Sequence, residues 1–165
     1  MEIEKKLAGL GLELPTPPKP AAHYIPYVQT GHLLFVGGNT GRLNSEPHTY
    51  VGKVGDKVTL EQGYEMARCC ALNHLAIIKS ALGDLDRVER FVKLIGYVNV
   101  APGFTKMPQV VNGASDLFVE LWGDRGEHAR AAVGVASLAN DAPVETEVIV
   151  QTENHRLKGG GFLSV

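Results

Sequence analysis

Between Thr59 and Gly83 the chain carries one uninterrupted helical pattern, and any fold it adopts has to bury one side of it. Thr59 and Gln62 make a T-x-x-Q capping box, in which each side chain can satisfy a free backbone N–H at the start of a helix. Gly83 supplies the stop. Between them Leu60, Tyr64, Ala67, Ala71, Leu75, Ile78 and Leu82 recur at steps of three and four, an apolar stripe that needs a surface to lie against. The chain itself provides one. From residue 91 to residue 100 the period becomes two, with Val92, Leu94, Gly96, Val98 and Val100 on one face and Phe91, Lys93, Ile95, Tyr97 and Asn99 on the other.

A second helix is expected with Pro108 in its first turn, a stripe of Val110, Ala114, Leu117, Phe118 and Leu121, and Gly123 just past its end. Strands are expected over 24–29 and 32–37, a hairpin about Thr30-Gly31. Two more, over 129–138 and 144–152, flank the turn-forming Ala139-Asn140-Asp141-Ala142-Pro143, which favours antiparallel pairing between them. Residues 39–57 are rich in Gly, Asn, Ser and Pro and read as a loop with a short strand near 50–53. The order is β-β-α-β-α-β-β with both helices on one face of a mixed sheet, which makes the class α+β.

Residues 1–21 read as a leader: a short amphipathic helix over 2–8, then an extended run through Pro15, Pro17, Pro18 and Pro20. Residues 22–153 form the domain and 154–165 a tail, both ends being loosely attached. Nothing in the chain remains to cover the second sheet face. Its residues Lys93, Ile95, Tyr97, Arg130, Ala132, Glu145 and Glu147 are too apolar for free exposure and too charged for a core, so that face reads as an oligomer interface with polar pockets.

Composition narrows the function. A chain of 165 residues with 44% hydrophobic and 21% charged residues fits one globular domain, and a net charge of -2 gives no general attraction for nucleic acid or an anionic membrane. Cys69 and Cys70 are helix neighbours whose side chains diverge, which suits thiols in a reducing cytosol. No secretory signal and no run near ~18 apolar residues is present, so a cytoplasmic protein is expected. The six histidines, His23, His32, His48, His74, His128 and His155, lack zinc spacing, and the glycines near Gly37 and Gly41 make neither G-x-G-x-x-G nor a P-loop. No metal and no cofactor are expected.

Arg130 heads a strand of small residues, Ala131, Ala132, Val133 and Gly134, which leave room for its planar fork to hold a carboxylate bidentately. Glu145, pointing away from the helices with Glu147, is placed to orient or deprotonate a water. Taken singly, each reads as an ordinary solvated side chain. Their surroundings give them more weight. Ile25-Pro26-Tyr27-Val28-Gln29 resembles the G-P-Y-[SV]-Q start of the RidA/YjgF family of enamine and imine deaminases, and Leu34-Phe35-Val36-Gly37-Gly38-Asn39 resembles its I-x-x-S-G-Q strand end. Val111-Asn112 with Leu117-Phe118 is similar to its V-N-x-x-Y-x-x-F helix. Ala129-Arg130-Ala131-Ala132-Val133, then Leu138 and Val144-Glu145-Thr146-Glu147, resembles A-R-x-x-V, L and [VI]-E-[IV]-E at the same spacing.

The resemblance covers residues 22–151 and implies a homotrimer of chorismate-mutase-like fold. It implies that Arg130 pairs with a substrate carboxylate, that Glu145 positions water, and that Tyr27, the Gly38 backbone and Asn112 line a cleft between subunits. The implied reaction hydrolyses 2-aminoacrylate-type enamines and imines to 2-keto acids and ammonia. Three departures accompany it: Ala132 stands where the family often has cysteine, and Gly37 and Asn39 replace its usual Ser and Gln. They favour the alternative of a non-catalytic trimer that binds small carboxylate metabolites. Ribonuclease activity, a label attached to parts of the family, fits poorly with the acidic balance and the absence of paired histidines or an aromatic-basic patch.

Overall fold

The computed structural model describes residues 1–18, 22–44 and 47–153. The tail expected from Asn154 onward, His155 included, lies outside the described residues, as do Pro20 and Ala21 at the end of the leader. The long helix forms where its pattern places it, as α2 (Leu60–Leu82). Thr59 Oγ1 accepts from the Gln62 N–H at 3.2 Å, the Gln62 side chain accepts from the Thr59 N–H at 2.9 Å, and Gly83 closes the helix at a left-handed φ of 80°. The second helix is α3 (Met107–Trp122), with Pro108 in its first turn.

Both helices lie on one face of a five-stranded mixed sheet, so the α+β expectation holds. The strands are β1 (Tyr27–Thr30), β2 (Leu33–Asn39), β3 (Val88–Asn99), β4 (Ala129–Val135) and β5 (Val144–Thr152), in the order β1-β2-β5-β3-β4. The antiparallel pairing expected between the last two strands does not form. β5 runs antiparallel to β2 and β3, while among the described residues β4 pairs only with β3, in parallel. A parallel pair needs a long crossover, and α3 between β3 and β4 is one. The turn at 139–143 therefore carries the chain past β3 instead of closing a hairpin, with Asn140 and Asp141 at φ values of 55° and 54°.

Other boundaries shift for local reasons. The first hairpin turns on Gly31-His32, one residue later than expected, because Thr30 pairs with Leu33 and Gly31 takes the left-handed φ of 55°. No strand forms over 50–53. Val54 alone makes bridges, to Val58 and Val100, and Gly52 at φ 121° breaks the extended run before it. In β3 a register shift lies between Phe91 and Lys93. The extra residue, Val92, breaks the alternation, so Phe91 and Leu94, three apart, both enter the core and Val92 leaves the apolar face assigned to it. The Phe91 ring stacks on Phe118 at 4.0 Å and meets Trp122 edge-on at 5.1 Å.

The loosely held leader is, over its first residues, a docked helix. In α1 (Glu2–Gly9) Ile3 and Leu7 are buried in the common core. The Asp86 carboxylate accepts from the Glu2 and Ile3 N–H groups at 2.6 and 2.9 Å, and Lys6 Nζ donates to the Leu121 carbonyl at 2.7 Å. Both cysteines are free thiols, Cys70 buried, and among the described residues no helix is long and apolar enough to cross a membrane.

Two glycines let α3 come close to its neighbours. A Cβ at Gly113 would sit 2.0 Å from the Tyr64 carbonyl oxygen of α2, and one at Gly96 would sit 2.4 Å from a Val111 methyl. Backbone cannot yield to a methyl group as a side-chain tip can, so Gly113→Ala is expected to cost about 2–3 kcal/mol of stability, read as a lowered denaturant midpoint.

His74 of α2 is fully buried, with Nε2 2.8 Å from Thr146 Oγ1, and burial lowers its pKa to about 4. The unfolded chain, with an ordinary histidine, therefore binds more protons between about pH 6.5 and 4, so this contribution is intact above that window and is lost as pH falls through it. His74→Gln keeps a neutral partner for Thr146. Thermal melts of that variant are expected to fall less steeply from pH 6.5 to 4 than those of the wild type.

Candidate functional site

The sequence-derived site residues lie in two groups on opposite faces of the sheet. Arg130 pairs in register with Leu94, and Ala132 with Gly96, positions whose side chains face the helices. Arg130 and Ala132 therefore do not belong to the open face on which they were expected. The reason is the parallel pairing: β4 takes its facing from β3, and Ala129, Ala131 and Val133 share the open side with Lys93, Ile95 and Tyr97 instead.

On the helix side, at the free edge of the sheet, the exposed Arg130 side chain reaches α3. Its Nη1 donates to Asn112 Oδ1 at 2.7 Å and to Ser115 Oγ at 3.0 Å. Asn112 was expected in the site; Ser115 was missed, although it lies one helical turn from Asn112 on the same face. His128 was also missed. Its Nε2 lies 3.0 Å from Ser115 Oγ, its Nδ1 is 2.7 Å from the Gly126 carbonyl oxygen, and it stands two residues before Arg130. Among the described residues no carboxylate pairs with Arg130.

The second group centres on β5 and the open face. Glu145 pairs with Tyr97, and Glu147 with Ile95, so both carboxylates point away from the helices as expected. Glu145 is half-buried. Burial, and after it the charge of Glu147, pushes its pKa above the ordinary carboxylate range. The Tyr97 hydroxyl donates to Glu147 at 3.3 Å, and its own pKa is raised by burial and then by Glu147. Beside them lies an open hollow of about 280 Å³ bordered by Val28, Phe35, Lys93, Ile95, Glu147 and Ile149. Tyr27, half-buried, packs against the core and also borders this hollow.

Gly38 belongs with the second group. Between Val36 and Asn39 the β2–β5 register slips by one residue, a bulge that holds Gly37 and Gly38, and the Gly37 N–H is taken by the Pro26 carbonyl at 3.0 Å. Asn39 donates its amide to the Gly37 carbonyl at 3.1 Å. A Cβ at Gly38 would stand 2.1 Å from Glu145 Oε1, so the missing side chain is the space the carboxylate occupies. The chain thus presents an arginine held by neutral partners on one face and, on the other, a carboxylate whose raised pKa suits it to accept a proton.

The family profile described as "YjgF/chorismate_mutase-like, putative endoribonuclease" matches residues 4–142. Protein TCP17 of Trypanosoma cruzi is 42% identical over 153 residues, covering 92% of this chain and 95% of that protein. The crystal structure of protein Atu1372, of unknown function, from Agrobacterium tumefaciens superposes with a TM-score of 0.84 at 40% identity, covering 92% of each chain. That of a "putative endoribonuclease" from Shewanella oneidensis does so with a TM-score of 0.87 at 29% identity, covering 92% of this chain and 99% of that one.

The Gly38 contact is open to test. In Gly38→Ala the new methyl meets a movable carboxylate tip, so stability is expected to fall by less than about 1 kcal/mol. The Glu145 carboxyl is expected to move out toward solvent and titrate at lower pH than in the wild type, as followed by carboxyl carbon NMR.

Proposed function

Because the chain belongs to the YjgF/chorismate-mutase-like family, the RidA/YjgF family of the sequence reading, we propose that it is a cytoplasmic deaminase of reactive enamines and imines that bear a carboxylate. The observation that carries the reading is the state of Arg130. Asn112 and Ser115, both neutral, hold the guanidinium in place, and among the described residues no carboxylate spends its charge. Such a fork is ready to take an organic acid bidentately.

The chemistry follows from the two groups. An enamine such as 2-aminoacrylate tautomerises to its imine, whose carbon is open to water. Glu145 takes a proton from that water as its oxygen bonds to the carbon, and the nitrogen gains the proton. The resulting carbinolamine expels ammonia and leaves a 2-keto acid. Positioning and proton transfer are what the step asks of the protein's own residues. Half-burial and the neighbouring Glu147 give Glu145 more basicity than a solvated carboxylate has.

Arg130 and Glu145 face opposite ways within one protomer, so on this reading the working cleft is composite. The half-apolar open face of one subunit, with Glu145 and the 280 Å³ hollow, receives the Arg130 edge of its neighbour. A homotrimer satisfies that geometry and covers Val28, Phe35 and Val133, which are otherwise exposed. A second reading is favoured by Ala132, at the position where the family often has a cysteine: a trimer that binds carboxylate metabolites without turning them over.

Ammonia and keto-acid release from imines generated in situ tests the deaminase. Arg130→Ala is expected to raise KM about 10–100-fold, the worth of a charge-assisted pair, and Glu145→Gln to lower kcat about 100–1,000-fold. Wild-type rate should fall as pH drops through the raised Glu145 pKa, since only the ionised carboxylate accepts a proton. Calorimetric binding of 2-keto acids with no turnover would replace this reading with the binding module. The endoribonuclease name carried by relatives would take its place if purified protein cleaved RNA and Glu145→Gln lost that cleavage.

A further inference from the structure

Arg130 has five N–H donors, and both hydrogens of Nη1 are spoken for, one on Asn112 Oδ1 at 2.7 Å and one on Ser115 Oγ at 3.0 Å. Among the described residues Nε and Nη2 have no partner. The edge left for a ligand is therefore the side-on one, Nε with Nη2, and the opposite corner is pinned.

What pins it is a chain of hydrogen bonds with a defined direction. The Gly126 carbonyl can only accept, so the His128 nitrogen 2.7 Å from it, Nδ1, carries the hydrogen. In the neutral ring Nε2 is then the acceptor, and the Ser115 hydroxyl, 3.0 Å away, donates to it. That donation turns a lone pair of Ser115 Oγ toward Arg130. The Phe118 ring meets the imidazole edge-on, centroids 6.0 Å apart at 77°, and fixes its plane. Burial lowers the His128 pKa; the bond to Gly126 opposes this, and the charge of Arg130 adds to it, in keeping with a neutral ring.

We propose that Ser115 and His128 are positioning residues that lock the Nη1 corner of Arg130, so that its Nε–Nη2 edge is presented in advance to a ligand carboxylate. The proposal rests on the reading of Arg130 as a carboxylate anchor. Every member of the clamp is neutral, so it orients the guanidinium without competing for its charge, as an aspartate or glutamate in the same place would. It also removes in advance rotamer freedom that a loose arginine gives up on binding. Neither residue touches the ligand. Their effect is confined to the strength of the arginine–carboxylate contact.

The test is calorimetric titration of the full chain with 2-oxobutanoate, and with 2-oxobutanamide as a neutral counterpart, in wild type, Ser115→Ala, Ser115→Thr, His128→Phe and Arg130→Ala. Ser115→Ala should melt like the wild type, since alanine suits a helix, yet bind 2-oxobutanoate about tenfold more weakly, the scale of a charge-assisted hydrogen bond. Ser115→Thr, which keeps the hydroxyl, should restore affinity to within about twofold. His128→Phe keeps the ring packing and should weaken the acid in the same direction. None of these should alter the much weaker binding of the amide. Wild-type affinity in Ser115→Ala, with binding lost in Arg130→Ala, would overturn the clamp and leave the anchor standing; wild-type affinity in Arg130→Ala itself would remove both.

Discussion

How closely α3 can lie against β3 and α2 decides the rest of the arrangement. At Gly96 and Gly113 a single methyl group would push the helix away, at one against Val111 and at the other against the backbone of Tyr64. With both absent, α3 settles as the crossover between two parallel strands, and the same helix face that carries Asn112 and Ser115 comes to rest beside the first residues of β4. The arginine's setting is thus a by-product of backbone contact some distance from it. Tight packing transmits such placement because it leaves little room for intermediate positions.

Much of this was legible in the sequence. Thr59, Gln62 and Gly83 marked α2 because capping is local chemistry, satisfied within one turn by the residues concerned. Glu145 and Glu147 could be assigned a face because β5 alternates without interruption. Arg130 could not, because its facing is inherited from the strand it pairs with, and pairing is decided by segments far away in the chain. The bulge at Val92 escaped for a similar reason: no residue type announces it, and it is justified only by Phe91 meeting Phe118 and Trp122. Ser115 and His128 were within reach of spacing alone, one turn from Asn112 and two residues from Arg130, but neither carries a motif that draws notice.

The two halves of the candidate site are also built differently. Around Arg130 order comes from side-chain hydrogen bonds among neutral groups at a sheet edge. Around Glu145 it comes from burial and from space left by glycine at a bulge. The first arrangement preserves a positive charge for use, and the second raises the proton affinity of a negative one. On the proposed reading each is supplied by a different copy of the chain.

The docking of α1 bears on the order in which the molecule is assembled. Eight residues are too few to hold a helix in water, and this one takes the partners of its first amides from Asp86 and of Lys6 from Leu121, more than eighty residues later in the chain. At roughly 5–20 residues per second of synthesis, this segment waits on the order of ten seconds after it is made for its binding surface to exist. Until then Ile3 and Leu7 travel unprotected between Glu2, Glu4, Lys5 and Lys6, whose charges keep the segment hydrated until the surface around Asp86 and Leu121 is ready to receive it.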